Sequence, residues 1–233
     1  MCSYVPSYSI SERMPELVLS ISEKICFISG WRELEAKPRL RRINGIRSVH
    51  ASLKIEANSL SLSEVRDVLN GQLVLGDREE IREVKNAYDA CSRIGKINPF
   101  SMSELKKIHG IMTSGIIADF GDFRRGGEGI FSGGRCIFAA PPAQMVNGLM
   151  REPLSWLKCS EGKIYPLISS AVFHYEFVFI HPFADGNGRM ARLWHIVILA
   201  RWKQIFEYIP LESQIEKFQE AYYAAIAQCH AEG

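Results

Sequence analysis

The stretch HPFADGNGRMAR, His181 to Arg192, places a proton acceptor, a carboxylate, a glycine-framed asparagine and two arginines within twelve residues. Pro182 pushes His181 out of helical geometry, and the helical pattern resumes at Arg189, so Ala184 to Gly188 is predicted to form a loop feeding a helix start. Gly186 and Gly188 permit positive φ around Asn187, which lets successive N–H groups converge on an anion, and the helix dipole adds to the attraction. Arg189 and Arg192 stand three residues apart on one helix face, within reach of the same polyphosphate, while Asp185 offers the oxygen that Mg²⁺ prefers. His181, whose unperturbed pKa lies near ~6.5, is then free to act as a base. Each of these residues alone has an ordinary structural explanation. Their joint pattern points to phosphate chemistry.

Two upstream segments extend the pattern. Ser52-Leu-Lys-Ile-Glu56-Ala-Asn58 ends what reads as a helix. Between Gly121-Asp-Phe-Arg124 and Pro141-Pro142, the runs Ile130-Phe131 and Ile137-Phe138 flank Ser132-Gly-Gly-Arg135, which predicts a hairpin whose exposed edge could add a target strand through main-chain hydrogen bonds.

Residues 181–192 resemble the signature of the Fic family: HPF, any residue, Asp or Glu, then GNGR and a second Arg three positions on. Every fixed position is present. The resemblance implies an all-α Fic-type helical bundle with a short β-hairpin flap over the active site near residues 128–142. It further implies a nucleotidyl transferase, most often one that moves AMP from ATP to a Ser, Thr or Tyr hydroxyl of a target protein. On that basis His181 would take the hydroxyl proton, Asp185 would hold Mg²⁺, Gly186, Asn187 and Gly188 would cradle the phosphates, and Arg189 and Arg192 would bind their far end. Ser52, Glu56 and Asn58 are similar to the inhibitory motif of the class whose brake precedes the core, in which the glutamate pairs with the second arginine, here Arg192. Ala57 stands where that motif usually has glycine, and alanine leaves helical geometry accessible there. Tyr223, beside Tyr222 and Ile226 on the last helix, could offer an aromatic wall for adenine. An AMP-removing hydrolase on the same scaffold and a non-catalytic nucleotide-binding regulatory module stay open as alternatives. Intact His181 argues against the second, and Gly188 argues against kinase chemistry, which the family runs with a lysine there.

Composition frames these motifs. With 233 residues and 47% hydrophobic content the chain can bury a substantial core, and we read residues 1–233 as one Fic-type domain, with N-terminal helices and the inhibitory motif over about 1–60 and the catalytic core over 61–233. Many family members continue further downstream. A net charge of +2 gives no large field for nucleic acid, despite Lys37, Arg39, Arg41, Arg42 and Arg47, which read as a solvated helix face. Six scattered cysteines without a CxxC pair suggest a reducing compartment, and no apolar run approaches the ~20 residues of a membrane span, so the expectation is a cytoplasmic protein with no membrane partner. A homo-oligomer is left open. Helix starts are marked by Ser61 with Glu64, Asp77 with Glu80 and Ser101 with Glu104, each before an amphipathic run. Residues 164–180 should form an apolar helix delivering His181, and residues 215–231 a final helix; His174 reads as a packing residue rather than a metal ligand.

Overall fold

A computed structural model describes residues 4–29, 38–132 and 135–232. Among them the chain forms α1 (Arg13–Ser29), α2 (Pro38–Ile55), α3 (Leu62–Leu69), α4 (Arg78–Cys91), α5 (Met102–Met112), β1 (Gly129–Ser132), β2 (Arg135–Ala139), α6 (Val146–Ser160), α7 (Pro166–Ile180), α8 (Asn187–Trp202), α9 (Leu211–Lys217) and α10 (Gln219–Glu232). Helix starts follow the capping signals. The Ser61 hydroxyl accepts from the Glu64 amide while the Glu64 carboxylate accepts from the Ser61 amide, and Asp77 and Ser101 cap α4 and α5 through Glu80 and Glu104.

α8 is the axis of the bundle. It is buried on nearly every side, with Met190, Leu193, Trp194, Val197 and Leu199 in the core and Arg189 and Arg192 enclosed as well, as expected of a helix surrounded by others. α7 packs along it through Phe173, Phe177 and Ile180, α6 adds Met150 and Leu157, and α5 adds Leu105, Ile108 and Met112. A second cluster joins α2, α3 and α4 through Ile46, Val49, Leu53, Val65, Val68 and Val84. α2 also lies along α9, so its C-terminal end arrives beside α8.

Away from the site, the structure departs from the sequence reading at four places. α8 begins at Asn187, two residues before Arg189, so the loop is shorter than expected. The final helical run is split: Phe218, with φ −118 and ψ 37, separates α9 from α10. The basic face of α2 is solvent-exposed at Arg39, Arg42 and Arg47, but Arg41 departs from it and lies over the Tyr208 ring, while Lys37 lies outside the described residues. Cys159 is disulfide-bonded, whereas Cys26, Cys91 and Cys229 are free; spacing along the chain does not report distance across the fold. The hairpin strands pair antiparallel, Gly129 opposite Ala139 and Ser132 opposite Arg135, and the two glycines of its turn lie outside the described residues. No helix among the described residues is long and apolar enough to cross a membrane.

Candidate active site

The site is assembled where α7 ends and α8 begins. His181 caps α7 in the left-handed region, φ 51 and ψ 61, with its amide still bonded to the Phe177 carbonyl. This conformation is uncommon for a residue with a side chain, and it turns the backbone sharply into the loop. The loop is then closed on itself. The Asn187 side chain accepts from the Phe183 amide at 2.9 Å and donates to the Phe183 carbonyl at 2.7 Å, so its amide group braces the turn from both sides. Gly186, at φ 76, supplies the left-handed step before the helix. Gly188 is helical, and its lack of a side chain has another cause: a Cβ there would run into the Glu56 carboxylate and the Arg192 guanidinium.

His109 supports this loop from below. Its ring stacks on Phe183 at 3.6 Å between centroids, Nδ1 accepts from the Gly121 amide, and Nε2 therefore carries the proton and donates to the Asp185 carbonyl at 3.0 Å. Burial pushes the His109 pKa down to about 4, which keeps the ring neutral and that tautomer in place. Arg124 fixes the hairpin to the same region. Its guanidinium donates to the carbonyls of His181, Ile180, Gly126 and Pro141, which joins the end of α7 to both roots of the hairpin.

The two arginines face different partners. Arg189 is buried and donates to Asp185 Oδ2 and Glu83 Oε1, both at 2.7 Å, while Asn58 of the upstream motif donates to the other oxygen of Glu83. Arg192, with a side chain only 1% exposed, donates to Glu56 Oε1 at 2.7 Å, to the Ser52 carbonyl at 3.0 Å and to the Ser52 hydroxyl at 3.2 Å. The Glu56 carboxylate thereby sits against the first turn of α8, where unpaired amides and the helix dipole favour an anion. The motif reaches this position because α2 ends in a tight reversal: the Asn58 amide bonds back to the Leu53 carbonyl and Ala57 takes φ 66. This is the helix-ending turn that normally selects glycine, so the expectation of helical geometry at Ala57 is corrected.

The His181 imidazole is held below its ordinary pKa, first by burial, with a hydrogen bond to the Val178 carbonyl and the carboxylates of Glu128 and Glu56 opposing the shift. It is neutral near pH 7. Asp185, four residues further along, has a half-exposed side chain. Tyr223 lies exposed on α10, its ring edge against Tyr222. His174 is spoken for: Nδ1 lies 3.0 Å from the Ala191 carbonyl and Nε2 lies 2.8 Å from the Tyr222 hydroxyl. Glu83, His109 and Arg124 were not singled out for the site from sequence. Only His109 carried a signal, as a polar residue within the apolar stripe Leu105, Ile108 and Met112.

Residues 99–199 match the Fic/DOC family profile. A relative described as a protein adenylyltransferase Fic, from Aedes aegypti, is 28% identical over 165 residues, covering 67% of this chain and 32% of its own length. Another so described, from Drosophila grimshawi, is 26% identical over 195 residues, covering 79% of this chain and 39% of that protein. The chain thus spans about a third of the length of these curated relatives. Among solved structures, a Fic family protein from Desulfovibrio desulfuricans superposes with a TM-score of 0.89 at 40% identity, covering 98% of this chain and 70% of that one. A Fic domain containing signaling protein from Bacteroides thetaiotaomicron shares the fold at a TM-score of 0.79 and 19% identity, covering 92% of this chain and 82% of that one. Similarity at 40% identity across nearly the whole chain, together with the intact signature at the α7–α8 junction, establishes that this chain belongs to the Fic/DOC family.

Proposed function

We propose that the chain is an autoinhibited protein adenylyltransferase, a single Fic-type domain over residues 1–233 that transfers AMP from ATP to a Ser, Thr or Tyr hydroxyl of a target protein. The observation that carries this reading is the Glu56 carboxylate, which pairs with Arg192 at 2.7 Å and lies against Gly188 at the start of α8. A protein anion occupying a helix N-terminus beside a buried arginine marks where a phosphate would bind.

In the proposed reaction the acceptor oxygen attacks the α-phosphorus, its proton passes to the neutral His181 ring, and the bond from that phosphorus to the bridging oxygen breaks to release pyrophosphate. Main-chain amides at Asn187 and Gly188 stabilise charge on the phosphate oxygens, and Arg192 receives the terminal phosphate once Glu56 withdraws. Asp185 would hold Mg²⁺: no cluster of three or more candidate ligands occurs among the described residues, and one carboxylate completed by substrate phosphates and water is the donor set this ion commonly takes. When bound, the ion neutralises charge on the phosphates. Arg189, paired to Asp185 and Glu83, orients that carboxylate, and Tyr223 offers its exposed face to adenine. The hairpin above the site acts as a flap whose edge pairs with the target strand.

The 35% exposure of the Glu56 side chain favours one second reading, in which it orients water to remove AMP from a modified protein. Labelling with α-labelled ATP and Mg²⁺ tests the first. Label should appear in Glu56→Gly and fall by about 10²- to 10⁴-fold when His181→Ala is added, the usual cost of losing a general base. Labelling within about threefold of the parent would remove His181 from that role.

A further inference from the structure

The segment carrying Glu56 has a second hold on α8. Two residues further on, Asn58 reaches the other arginine of the signature through an intermediary: its Nδ2 donates to Glu83 Oε2 at 2.8 Å, and Glu83 Oε1 accepts from Arg189 at 2.7 Å. Arg189 is pinned from its other side by Asp185 at 2.7 Å, so the point to which Asn58 is tied belongs to the cradle itself. One short turn is thereby joined to both arginines, to Arg192 directly by Glu56 and to Arg189 through Glu83.

The turn needs such a hold. Ala57 takes φ 66, a left-handed conformation that is unfavourable for a residue with a Cβ and persists only where its surroundings fix it. Those surroundings are the first turns of α4. Asn58 is 7% exposed and both ends of its side-chain amide are committed: Oδ1 accepts from the Leu60 amide at 3.2 Å, while Nδ2 donates to Glu83 and, at 3.3 Å, to the Glu80 carbonyl. Ser59 gives its amide and its hydroxyl to the Glu80 carboxylate, each at 2.7 Å. The two attachments differ in weight. Ser59 is exposed, so water readily replaces its partner, whereas the path from Asn58 through Glu83 to Arg189 is largely enclosed and carries charge.

Given the reading of Glu56 as a brake, we propose that Glu83 is its positioning residue: by accepting from Asn58 and Arg189 together, it fixes the Ala57 turn against the cradle and so delivers Glu56 to Arg192. Losing the Asn58–Glu83 bond frees the turn to swing, and with it the carboxylate two residues earlier. Losing Glu56 leaves that bond in place with nothing to deliver.

Calorimetry with ATP and with AMP, on the chain as it stands, separates these roles. AMP lacks the terminal phosphates that Glu56 would exclude, so release of the brake should act on ATP alone. Asn58→Ala should tighten ATP binding by about fivefold and leave AMP affinity within about twofold, the lost bond being one to a charged group. Asn58→Asp keeps an acceptor for the Leu60 amide but sets a carboxylate against Glu83, and should act in the same direction. Glu83→Gln leaves one acceptor oxygen for two donors and should also tighten ATP binding, without adding to Asn58→Ala. In a Glu56→Gly background both Asn58 variants should change ATP affinity by less than about twofold, since no carboxylate remains to be positioned. ATP affinity within about twofold of the parent in both Asn58 variants, while Glu56→Gly tightens it, would overturn the role of Glu83 and leave the brake standing. No tightening in Glu56→Gly would refute the brake itself, and the proposal with it. Equal tightening of ATP and AMP would mean a general loosening of the site rather than a displaced carboxylate, and would also overturn it.

Discussion

Removing the Glu56 carboxylate is the perturbation whose size the geometry constrains best. Arg192 has a 1% exposed side chain and Glu56 one that is 35% exposed, joined at 2.7 Å. A hydrogen bond to a charged group contributes about 1.5–3 kcal/mol when buried, whereas an exposed ion pair contributes about 0–1 kcal/mol. A pair with one buried partner and one third-exposed partner falls between, at about 1–2 kcal/mol, or about 5- to 30-fold in the population of an open cradle. Two features keep the variant folded: Arg192 retains both Ser52 acceptors, and the α2 core of Val49 and Leu53 is untouched. Glu56→Gly should therefore raise autolabelling from α-labelled ATP by about tenfold and tighten ATP binding in calorimetry by a similar factor. Adding Arg192→Ala should reverse most of the gain, because the terminal phosphate then lacks its partner. Unchanged labelling together with unchanged ATP affinity would refute the occlusion argument. Loss of an AMP-removing activity in Glu56→Gly would instead select the second reading.

Three further outcomes follow from the same geometry. Ala57→Gly relieves a left-handed alanine at φ 66, and after the entropy that glycine adds to the unfolded chain it should stabilise the fold by about 0.5–1 kcal/mol and lower basal labelling; a reduced melting temperature would contradict this. Asp185→Ala should erase the difference between ATP affinities measured with and without Mg²⁺, and persistence of that difference would take Asp185 out of the metal site. His174 and His109 have folded pKa values pushed down to about 3 and about 4, so the native chain refuses protons that the unfolded chain accepts below about pH 6.5, and stability falls as pH drops through that window by about 1.4 kcal/mol per unit for each. Glu176 and Glu212, raised by burial, act in the opposite sense, so the clean measurement is a difference: in urea titrations the loss between pH 7 and pH 5 should shrink by about 2 kcal/mol in His174→Phe, and an unchanged loss would show that the ring titrates normally.

The elements that could be read from sequence are those whose determinants are local. Capping residues Ser61, Asp77 and Ser101 set helix starts because each bonds to amides two or three residues away. The α7–α8 junction was legible because Pro182 restricts the residue before it and Gly186 admits the left-handed step that the turn needs. What escaped was set by partners distant in the chain. Glu83 looks like any polar residue on an amphipathic helix, and only the fold brings it to Arg189, 106 positions away. Gly188 suggested a backbone conformation, yet its small size answers to a carboxylate arriving from α2. Ala57 showed no strain until the turn was seen to need a left-handed residue, since alanine alone implies helix. The break at Phe218 interrupts a pattern that periodicity carries straight through.

Arg124 has a consequence for how such a site could tolerate varied targets. One planar guanidinium touches the carbonyl of the proposed base residue, the carbonyl of Gly126 before the hairpin and that of Pro141 after it. Both strands are thereby measured from the same datum as His181. A polypeptide added to the hairpin edge would be registered by its backbone alone, and its depth over the imidazole would be a property of the fold rather than of the guest. Side-chain identity could then drift freely at every position except the one that brings a hydroxyl to the ring.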